Sequence, residues 1–395
     1  MNSKDIFFNF TSLFVISIEY ICATMYLSRI SISNFKNIRE ASLSFSKKIN
    51  CISGNNGEGK TNLLDAIYYL SMTKSYFNSS DTYTFTFGEE VTAINGFYVK
   101  DDATEDKINI GIKEGGEKSI KKNDKAYKRI SEHIGTIPVV MVSPADTSLI
   151  NSSGEERRKF MNSILSQVDK EYLRSIMRYN QLLAQRNKLL KMSGISSDLL
   201  ETINERMSPD AYYIYCKRKE LCACLQERAK EFYAKLSGAK EEISLKYISE
   251  LDSPDANENS LNELFINNKE RDLILRYTSV GIQRDDIDFC LGLHPIKKCG
   301  SQGQQKSFLV ALKLAQFTLM KQLHGHSPIL LLDDVFDKLD MQRVEYLLGL
   351  VASEEFGQIF ITDSNKVRMS NIAKTVTKEL QSYEVTDGVY SAVED

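Results

Sequence analysis

The sequence predicts an α/β fold in which one domain is divided along the chain by a helical insertion. Three observations lead to this prediction. Strand-like patterns dominate residues 25–150, apolar residues spaced three and four apart run from about 153 to 238 within the segment 151–285, and helix and strand patterns alternate again over 286–395. We expect the first and last segments to fold together and the middle one to form a mainly helical arm. Residues 1–24 are expected to be a tail or a mis-assigned start.

The composition argues against several classes of protein. Of the 395 residues 42% are hydrophobic, and the net charge is −3, so a surface that binds a polyanion has to be a local patch. The seven Cys form no C-x-x-C pair, which argues against a zinc site and favours reduced thiols in the cytoplasm. No stretch is apolar for long enough to span a membrane, and no membrane partner is expected.

The two outer segments contain most of the predicted strands. In the first segment the predicted strands are 26–33, 39–45, 49–53, 91–99, 107–113 and 137–142. In the last segment we expect helix 306–323, strand 328–333, helix 340–353, strand 357–362 and a short hairpin around Asp387–Gly388.

The arm is predicted as two antiparallel helices. A heptad seam is expected in the first helix, formed by Leu173, Ile176, Asn180, Leu183, Asn187 and Leu190. The second helix is expected to begin at Ser208, as a cap before Pro209, and to stop at Gly238. A plain helical domain packed on itself fits the same pattern.

The most specific motif is GNNGEGKT, residues 54–61, which matches G-x-x-x-x-G-K-[ST] between a strand pattern and a helix pattern. Lys60 is expected to act in catalysis by reaching the β- and γ-phosphates of ATP, and Thr61 to offer its hydroxyl to Mg²⁺. The predicted nucleotide-binding residues of this loop are Gly54, Asn55, Asn56, Gly57, Glu58, Gly59, Lys60, Thr61 and Asn62.

Two acids follow the apolar strand pattern of residues 328–332. Ligands of parallel sheets collect at the carboxyl ends of the strands. Asp333 is therefore expected to hold Mg²⁺, and Asp334 to orient or deprotonate the attacking water as the catalytic base. Many related sites use Glu as this base, so the shorter Asp predicts slow hydrolysis, suited to a switch.

A second anion-binding loop is predicted at CGSQGQQKS, residues 299–307. The loop is small and polar, and an apolar helix pattern follows it at once. Free backbone N–H groups and the positive end of the helix dipole would favour an anion there.

Taken together, these motifs make the chain resemble the RecF family of ABC/SMC-type ATPases. The other ordered motifs are LSRISISNFKNIREASLSF (27–45), SGEERRKFMNSIL (153–165), YNQLLAQRNKLLK (179–191), TSVGIQRDDIDF (278–289) and LLLDDVFDKLD (330–340). The nucleotide motifs are common to the whole superfamily, whereas Q-G-Q-Q, the R-D-D block and the RN-x-LLK helix are more specific.

The resemblance implies an ABC-type P-loop ATPase head with an inserted α-helical arm, binding ATP and Mg²⁺. It implies an ATP-dependent homodimer that binds DNA at single-strand gaps, at single-strand/double-strand junctions and on duplexes, with a weak, DNA-stimulated ATPase. The implied partners are RecR and RecO, and functionally RecA, in cytoplasmic repair, replication restart and the SOS response.

The resemblance also implies roles for residues outside the first loop. A two-fold-related copy would present Ser301, Gly303 and Gln304 to the nucleotide bound by its partner. Residues implied to line the same interface are Lys338, Leu339 and Asp340. Residues implied near the nucleotide are Lys36 and Asn37, and those where the arm rejoins the core are Arg284, Asp285 and Asp286.

Three positions depart from the family pattern. Ala145 stands where an acid is usual, Gln283 where a His is expected, and Asp363 follows Thr362 where ABC transporters have a switch His. The resemblance implies that the loop at Ala145 senses Mg²⁺ and water, and that the position after Thr362 senses the γ-phosphate.

A basic segment near residue 120 is the predicted DNA contact. Its predicted DNA-binding residues are Lys121, Lys122, Lys125, Lys128 and Arg129. Spaced cations neutralise phosphates without reading sequence, although a charge run is as often a solvated face. Tyr127 is a weaker candidate for stacking on a base. Further candidate cations are Arg157, Arg158, Lys159, Lys217, Arg218 and Lys219.

Other ABC-type ATPases stay open as alternatives. A transporter subunit would need a Gln-containing loop after the core, a Glu base and a switch His, and none of the three is seen in the sequence. An SMC-like structural ATPase or a defence-system ATPase is the other alternative, although the insertion is short for a long coiled coil.

Overall fold

The structure is a computed structural model, and it describes residues 25–192, 197–238, 241–336, 341–353, 355–366, 369 and 379–393. The tail at 1–24 and the predicted interface residues Lys338, Leu339 and Asp340 lie outside the described residues.

Strands lie mostly in the first and last thirds of the chain. In chain order they are β1 (Met25–Phe35), β2 (Ile38–Ser44), β3 (Ile49–Ser53), β4 (Val91–Lys100), β5 (Glu105–Lys113), β6 (Lys118–Lys122), β7 (Lys125–Ala126), β8 (Val139–Val142), β9 (Ile243–Ile248), β10 (Asp286–Leu291), β11 (His294–Pro295), β12 (Ile329–Asp333), β13 (Ile359–Asp363), β14 (Leu380–Thr386) and β15 (Val389–Val393).

Helices dominate the middle of the chain. In chain order they are α1 (Lys60–Met72), α2 (Thr147–Asn151), α3 (Gly154–Val168), α4 (Lys170–Leu189), α5 (Ser197–Ser237), α6 (Ser260–Asn267), α7 (Lys269–Leu275), α8 (Ile296–Cys299), α9 (Gln302–His324) and α10 (Met341–Ala352).

The central sheet joins the two ends of the chain. Its strand order is β15-β14-β3-β13-β12-β8, so β3 and β8 from the first half enclose β13 and β12 from the last. β3, β13, β12 and β8 pair in parallel, which brings their carboxyl ends to one edge. The α/β domain predicted to be split by a helical insertion is therefore confirmed, as is the C-terminal hairpin.

A second, antiparallel sheet has the order β2-β1-β4-β5-β6-β7. Helix α1 is buried between the two sheets, and its Leu63 and Ile67 belong to one core cluster with Ile30 of the antiparallel sheet and Leu331 of the central sheet. Burying one such side chain stabilises the fold by about 1.5–3 kcal/mol. This packing fixes the helix that begins at the glycine-rich loop. A small third sheet, β11-β10-β9, was not predicted.

Two details of the predicted arm are wrong. Helix α5 is continuous from Ser197 to Ser237, with Pro209 inside it, so no helix starts at Ser208. Apolar residues continue the 3,4 spacing across the proline, and this packing outweighs the one lost N–H. The buried residues of this stripe are Leu200, Ile203, Met207, Ala211 and Ile214.

The buried face of α4 also differs from the predicted heptad seam. Its buried residues are Tyr172, Ser175, Ile176, Tyr179, Leu182 and Arg186. Asn180 of the predicted seam is exposed. The predicted seam consisted of leucines, an isoleucine and two asparagines, whereas tyrosines and an arginine paired with Asp272 at 2.7 Å occupy this interface.

Candidate functional site

The glycine-rich loop joins β3 to α1, as predicted. Lys60 is 4% exposed, and its Nζ donates to the carbonyl oxygens of Gly54 and Asn55 at 2.9 Å each. The ammonium group is thus held by the loop itself, beside the exposed Asn56 and Gly57. The Asn62 N–H donates to the Gly59 carbonyl at 3.0 Å, and the N–H groups ahead of it in the first turn of α1 have no acceptor within the helix. Loop, dipole and lysine together therefore favour an anion of several charges.

Two glycines allow the close packing of this loop. Gly59 has a φ of +117°, and a Cβ there would lie 2.8 Å from the amide oxygen of Asn37. A Cβ at Gly54 would lie 2.5 Å from the carbonyl oxygen of Val385 in β14. Asn37 also donates to the carbonyl of Glu58 at 3.1 Å. The β1–β2 turn and the C-terminal hairpin therefore hold the loop from outside.

Asp333 is the centre of a buried hydroxyl network at the carboxyl edge of the central sheet. It accepts hydrogen bonds from Thr362 Oγ1 at 2.8 Å, from Thr61 Oγ1 at 2.9 Å and from Ser143 Oγ at 3.4 Å. Burial raises the pKa of the Asp333 carboxyl, while these hydroxyl groups and the charge of Lys60 oppose the rise. A carboxylate this buried gains from a nearby cation.

Thr61 and Asp333 fit the predicted magnesium site. A hydroxyl and a carboxylate at 2.9 Å from each other are the hard oxygen ligands that Mg²⁺ prefers. No group of three or more His, Cys, Asp or Glu suited to a metal lies among the described residues. Magnesium in phosphate sites takes its other ligands from phosphate and water. The two side chains would therefore hold the ion together with a nucleotide.

Asp334, the predicted base, follows in an unusual backbone conformation. Its φ is +45°, and its N–H is close to the carbonyl and hydroxyl oxygens of Thr362, at 3.2 and 3.1 Å. Non-glycine residues in this region cost about 1–3 kcal/mol, and they cluster at functional sites. The role of Asp334 as base stays a prediction. Asp363 is buried at the end of β13, in register with Ser53 beside the loop.

Thr362 and Ser143 are site residues to which the sequence analysis assigned no contact with Asp333. Thr362 is the next-to-last residue of β13 and Ser143 follows β8, the two neighbours of β12, so both hydroxyl groups reach Asp333 at the end of β12. A hydroxyl residue at the carboxyl end of each predicted strand was the available signal. The strand order that brings them together was not available.

The departures from the family pattern fall in different surroundings. Ala145 is exposed, and the neighbouring Asp146 is buried and caps the turn by accepting the Ser143 N–H at 2.8 Å. Gln283 lies at the arm base, where its side-chain oxygen accepts from Tyr179 Oη at 2.5 Å. The effect of these departures on hydrolysis stays a prediction.

Lys36 and Asn62 have different partners. Lys36 Nζ lies 2.6 Å from Oδ2 of Asp65, a buried residue of α1, and no hydrogen bond or ion pair within the described residues joins it to loop 54–61. Asn62 lies beside that loop and donates to Asn37 at 2.7 Å. The nucleotide contact predicted for Lys36 therefore has a competing partner in Asp65.

The loop predicted to be a second anion-binding site forms a capping box at the start of α9. Gln304 N–H donates to Ser301 Oγ at 3.3 Å, and Ser301 N–H donates to the Gln304 side chain at 2.6 Å. This box occupies the Gln304 N–H that was predicted to bind phosphate and leaves those of Gln302 and Gly303 for a ligand. Within the described residues no hydrogen bond or ion pair joins 299–304 to loop 54–61.

The predicted DNA-binding residues lie on β6, β7 and the segment after them, at the edge of the antiparallel sheet. Lys122 is paired with Asp106 at 3.0 Å. Exposed cations with no ion pair in the described part of the chain are Lys121, Lys125, Lys128 and Arg129. Tyr127 is half-buried and packs edge-on against His133 at 5.3 Å, so its ring is used in the core and not for stacking on a base.

Three other candidate cations hold the arm base together. Arg157 contacts both oxygens of Asp286, at 2.5 and 2.9 Å. Arg158 donates to the carbonyl of Asp285 at 2.8 Å, and the buried Arg218 pairs with its carboxylate at 2.7 Å. These arginines connect α3 and α5 to the strand that leaves the arm. Because Arg157, Arg158 and Arg218 bond to Asp285 and Asp286, their interpretation as DNA contacts is corrected.

Comparison with known proteins gives one family over most of the chain. The family model described as RecF/RecN/SMC N terminal domain matches residues 26–386. The chain is 46% identical over 366 residues to the DNA replication and repair protein RecF of Azobacteroides pseudotrichonymphae, covering 92% of this chain and 98% of that protein. It is 44% identical over 366 residues to the protein of the same name from Bacteroides thetaiotaomicron, again covering 92% and 98%.

A solved structure described as the recombination mediator protein RecF with ATP in the RecFOR pathway has a TM-score of 0.85. It is 29% identical in sequence, and the match covers 95% of this chain and 100% of that one. Separately, among the described residues there is no helix that is both long enough and apolar enough to cross a bilayer.

Proposed function

The chain belongs to the RecF family of DNA replication and repair proteins, and from this premise we propose that it is an ATP-dependent recombination mediator that closes on DNA as a homodimer. ATP and Mg²⁺ bind at loop 54–61, Thr61 and Asp333 of one copy. Ser301 and the start of α9 of a second copy cover the γ-phosphate. Slow, DNA-stimulated hydrolysis with Asp334 as base then releases the dimer.

The same proposal assigns the partners. DNA at single-strand gaps, single-strand/double-strand junctions and duplex segments contacts the β6–β7 edge through its unpaired cations, and recognition of the backbone needs no base sequence. RecO and RecR act with the protein in the cytoplasm to help load RecA. The structural neighbour with ATP in the RecFOR pathway supports this assignment.

One observation carries the proposal: both anion-binding parts are formed, and one copy does not bring them together. Lys60, Thr61 and Asp333 make a charged half-site, whereas Ser301 begins an exposed helix end with no contact to it in the described residues. A two-fold axis repeats both parts and can place each helix start against the other copy's nucleotide.

Sedimentation of the full chain with ATP, with ADP and with gapped DNA tests the proposal. We expect dimers with ATP, monomers with ADP, and tighter retention on gapped DNA with ATP. Turnover per copy should rise with protein concentration, because only dimers hold a complete site. A monomer that hydrolyses ATP at a rate independent of protein and DNA concentration would contradict the proposal.

The DNA interface is tested in the same assay by replacing Lys121, Lys125, Lys128 and Arg129 with Gln. The slope of log affinity against log salt should fall by about 0.9 for each phosphate that the variant no longer neutralises, while ATP-driven dimerisation persists. Lys122→Gln is the matched control, since Asp106 already pairs with that charge. If the variant with all four substitutions bound DNA as tightly as the wild type, the β6–β7 edge would be a solvated face and not a DNA contact.

A further inference from the structure

A lysine is buried inside the apolar helix α9. Lys313 is 3% exposed, with Leu312 and Leu314 buried on either side. Its Nζ lies 2.8 Å from Oδ1 of Asp146 and donates to the hydroxyl of Tyr76 at 2.9 Å. A charge so buried persists only when it is paired, so Asp146 fixes the position of this ammonium group.

The ion pair is one end of a continuous polar chain that leads to the magnesium-binding carboxylate. Tyr76 donates to Asp146 Oδ1, and Asp146 Oδ2 accepts the Ser143 N–H at 2.8 Å. Ser143 Oγ donates to Asp333 Oδ2 at 3.4 Å, and Asp333 accepts from Thr61. Burial and the charge of Asp146 raise the pKa of Tyr76, so its hydroxyl stays a donor.

Lys313 also touches the base of the arm. The ring of Phe160 in α3 lies 5.3 Å from Nζ, and the ring of Tyr76 lies 5.4 Å from it. Arg157 of the same helix α3 pairs with Asp286, where the chain leaves the arm. The buried ammonium group of Lys313, which belongs to α9, therefore contacts both the 143–146 turn and the arm helix α3.

We propose that Lys313 is a positioning residue. When Ser301 closes on the nucleotide bound by the partner copy, Lys313 transmits the resulting shift of α9 to Asp333 and Thr61 in the site of its own copy. This inference rests on the proposed function, because it requires a nucleotide contact at the start of α9. Ser301 and Lys313 lie on one rigid element, because Ser301 caps α9 and Lys313 follows twelve positions later, or about 18 Å along the helix.

The physical basis is the different stiffness of the links. The Lys313–Asp146 pair is buried and short, so a shift of α9 carries the 143–146 turn with it. The Ser143–Asp333 hydrogen bond is long, at 3.4 Å, and can tighten or break. Asp333 is thus oriented for Mg²⁺ differently before and after closure. Nucleotide affinity in the separate copy does not depend on this link.

A buried ion pair is often structural only, and the test has to separate the two roles. Removing one partner leaves an unpaired buried charge and lowers stability, whereas replacing both with neutral residues is often neutral. Lys313→Met and Asp146→Asn are therefore made singly and together. The single variants should lower Tm, and the double variant should recover most of it.

The readout is ATP turnover of the double variant in the full chain. We expect the affinity of the separate copy for ATP to stay at the wild-type value and kcat to fall about tenfold, which corresponds to a coupling of about 1.4 kcal/mol. A kcat equal to that of the wild type in a folded double variant overturns the proposal. So does a loss of ATP affinity equal to the loss of kcat, since Lys313 would then only shape the pocket.

The buried arm pair Arg186 and Asp272, each at most 1% exposed, supplies a matched control. Arg186→Met and Asp272→Asn should each lower Tm, the double variant should recover most of it, and none of the three should change kcat in the absence of DNA. If the Lys313 variants do not fold, Tyr76→Phe removes only one hydroxyl and should lower kcat by about fivefold. An unchanged kcat in Tyr76→Phe then counts against the proposal.

Failure of this inference is distinguishable from failure of the proposed function. If wild-type protein does not dimerise with ATP, the proposed function fails first. If wild-type protein dimerises and the double variant hydrolyses ATP at the wild-type rate, only the role of Lys313 is lost.

Discussion

The two proposed anion-binding ends of the nucleotide site, loop 54–61 and the start of α9, are built in opposite ways. At loop 54–61 Lys60 and Asp333 are buried, and the functional groups are held by hydrogen bonds: Lys60 by two carbonyls, and Thr61 by Asp333. At the start of α9, Ser301 and Gln302 are exposed, and the hydrogen bonds of the capping box are local. Loop 54–61 is preorganised by the core of its own copy. The start of α9 is held only by the hydrogen bonds of its own capping box.

This difference implies a division of labour between affinity and switching. Preorganised charges in a buried site bind phosphate at little cost in ordering. An exposed helix end contributes only when a second surface excludes water around it. Nucleotide binding should therefore belong to the separate copy, and hydrolysis to the pair of copies.

The largest effect is expected for Lys60→Ala. Its buried ammonium is the cation held at the mouth of the loop, and truncating a buried charge partner costs about 2–5 kcal/mol. We expect ATP affinity to fall about 1000-fold, measured with a fluorescent nucleotide on the separate copy. Lys47→Ala, at an exposed lysine, is the control and should bind normally. If Lys60→Ala kept the wild-type affinity for ATP, loop 54–61 would not set nucleotide affinity, and the proposed difference between the two ends would be wrong.

A smaller effect, at a different step, is expected for Ser301→Arg. The added side chain would occupy the space into which the partner's nucleotide closes, so the dimer should weaken about 100-fold with ATP present. ATP affinity of the separate copy should not change, because nothing from loop 54–61 contacts Ser301 in the described residues. Ser301→Ala, which removes only the cap, should cost about 1 kcal/mol of stability and leave most dimerisation. Normal dimers in Ser301→Arg would refute the trans contact.

The same contrast explains what could be read from the sequence. Loop 54–61 and Asp333 belong to motifs whose residues are consecutive, so their chemistry follows from spacing and strand context alone. The hydroxyl groups around Asp333 come from segments 190 and 29 residues away in the chain. Only the strand order β13-β12-β8 brings them together, and a single sequence does not contain it.

The arm was the harder region for the same reason. The continuous helix α5 and the shifted face of α4 depend on what packs against them, and tertiary contacts outweigh the local signal of Pro209. From the sequence, Arg218 was a candidate cation for binding DNA, but in the structure it is buried and paired with Asp285. Long-range ion pairs decide which charges are left for a ligand.

The smallest effect is expected for Thr362→Val, which tests the preorganised end alone. The change keeps the shape of the residue and removes the 2.8 Å hydrogen bond to Asp333, worth about 1 kcal/mol. Mg²⁺-dependent ATP affinity should fall about fivefold, because Asp333 is less well oriented and its carboxylate is less stabilised.

The pH dependence gives this prediction its sign. Burial already raises the pKa of Asp333 in the folded protein, so folding favours the protonated carboxyl. Without a cation, the stability that the protonated Asp333 contributes is therefore lost as pH rises through that pKa. Mg²⁺ needs the ionised form, so ATP affinity should decline on acidification at a pH above the pKa of about 3.9 of an ordinary Asp. Because the Thr362 hydroxyl opposes the rise, its removal should move this decline to higher pH. Titrations of Mg²⁺–ATP binding in wild type and Thr362→Val, with Thr318→Val in the middle of α9 as control, measure the shift. A decline at the same pH in both would show that Thr362 does not stabilise the carboxylate, and the preorganisation of this end would rest on Thr61 and Lys60 alone.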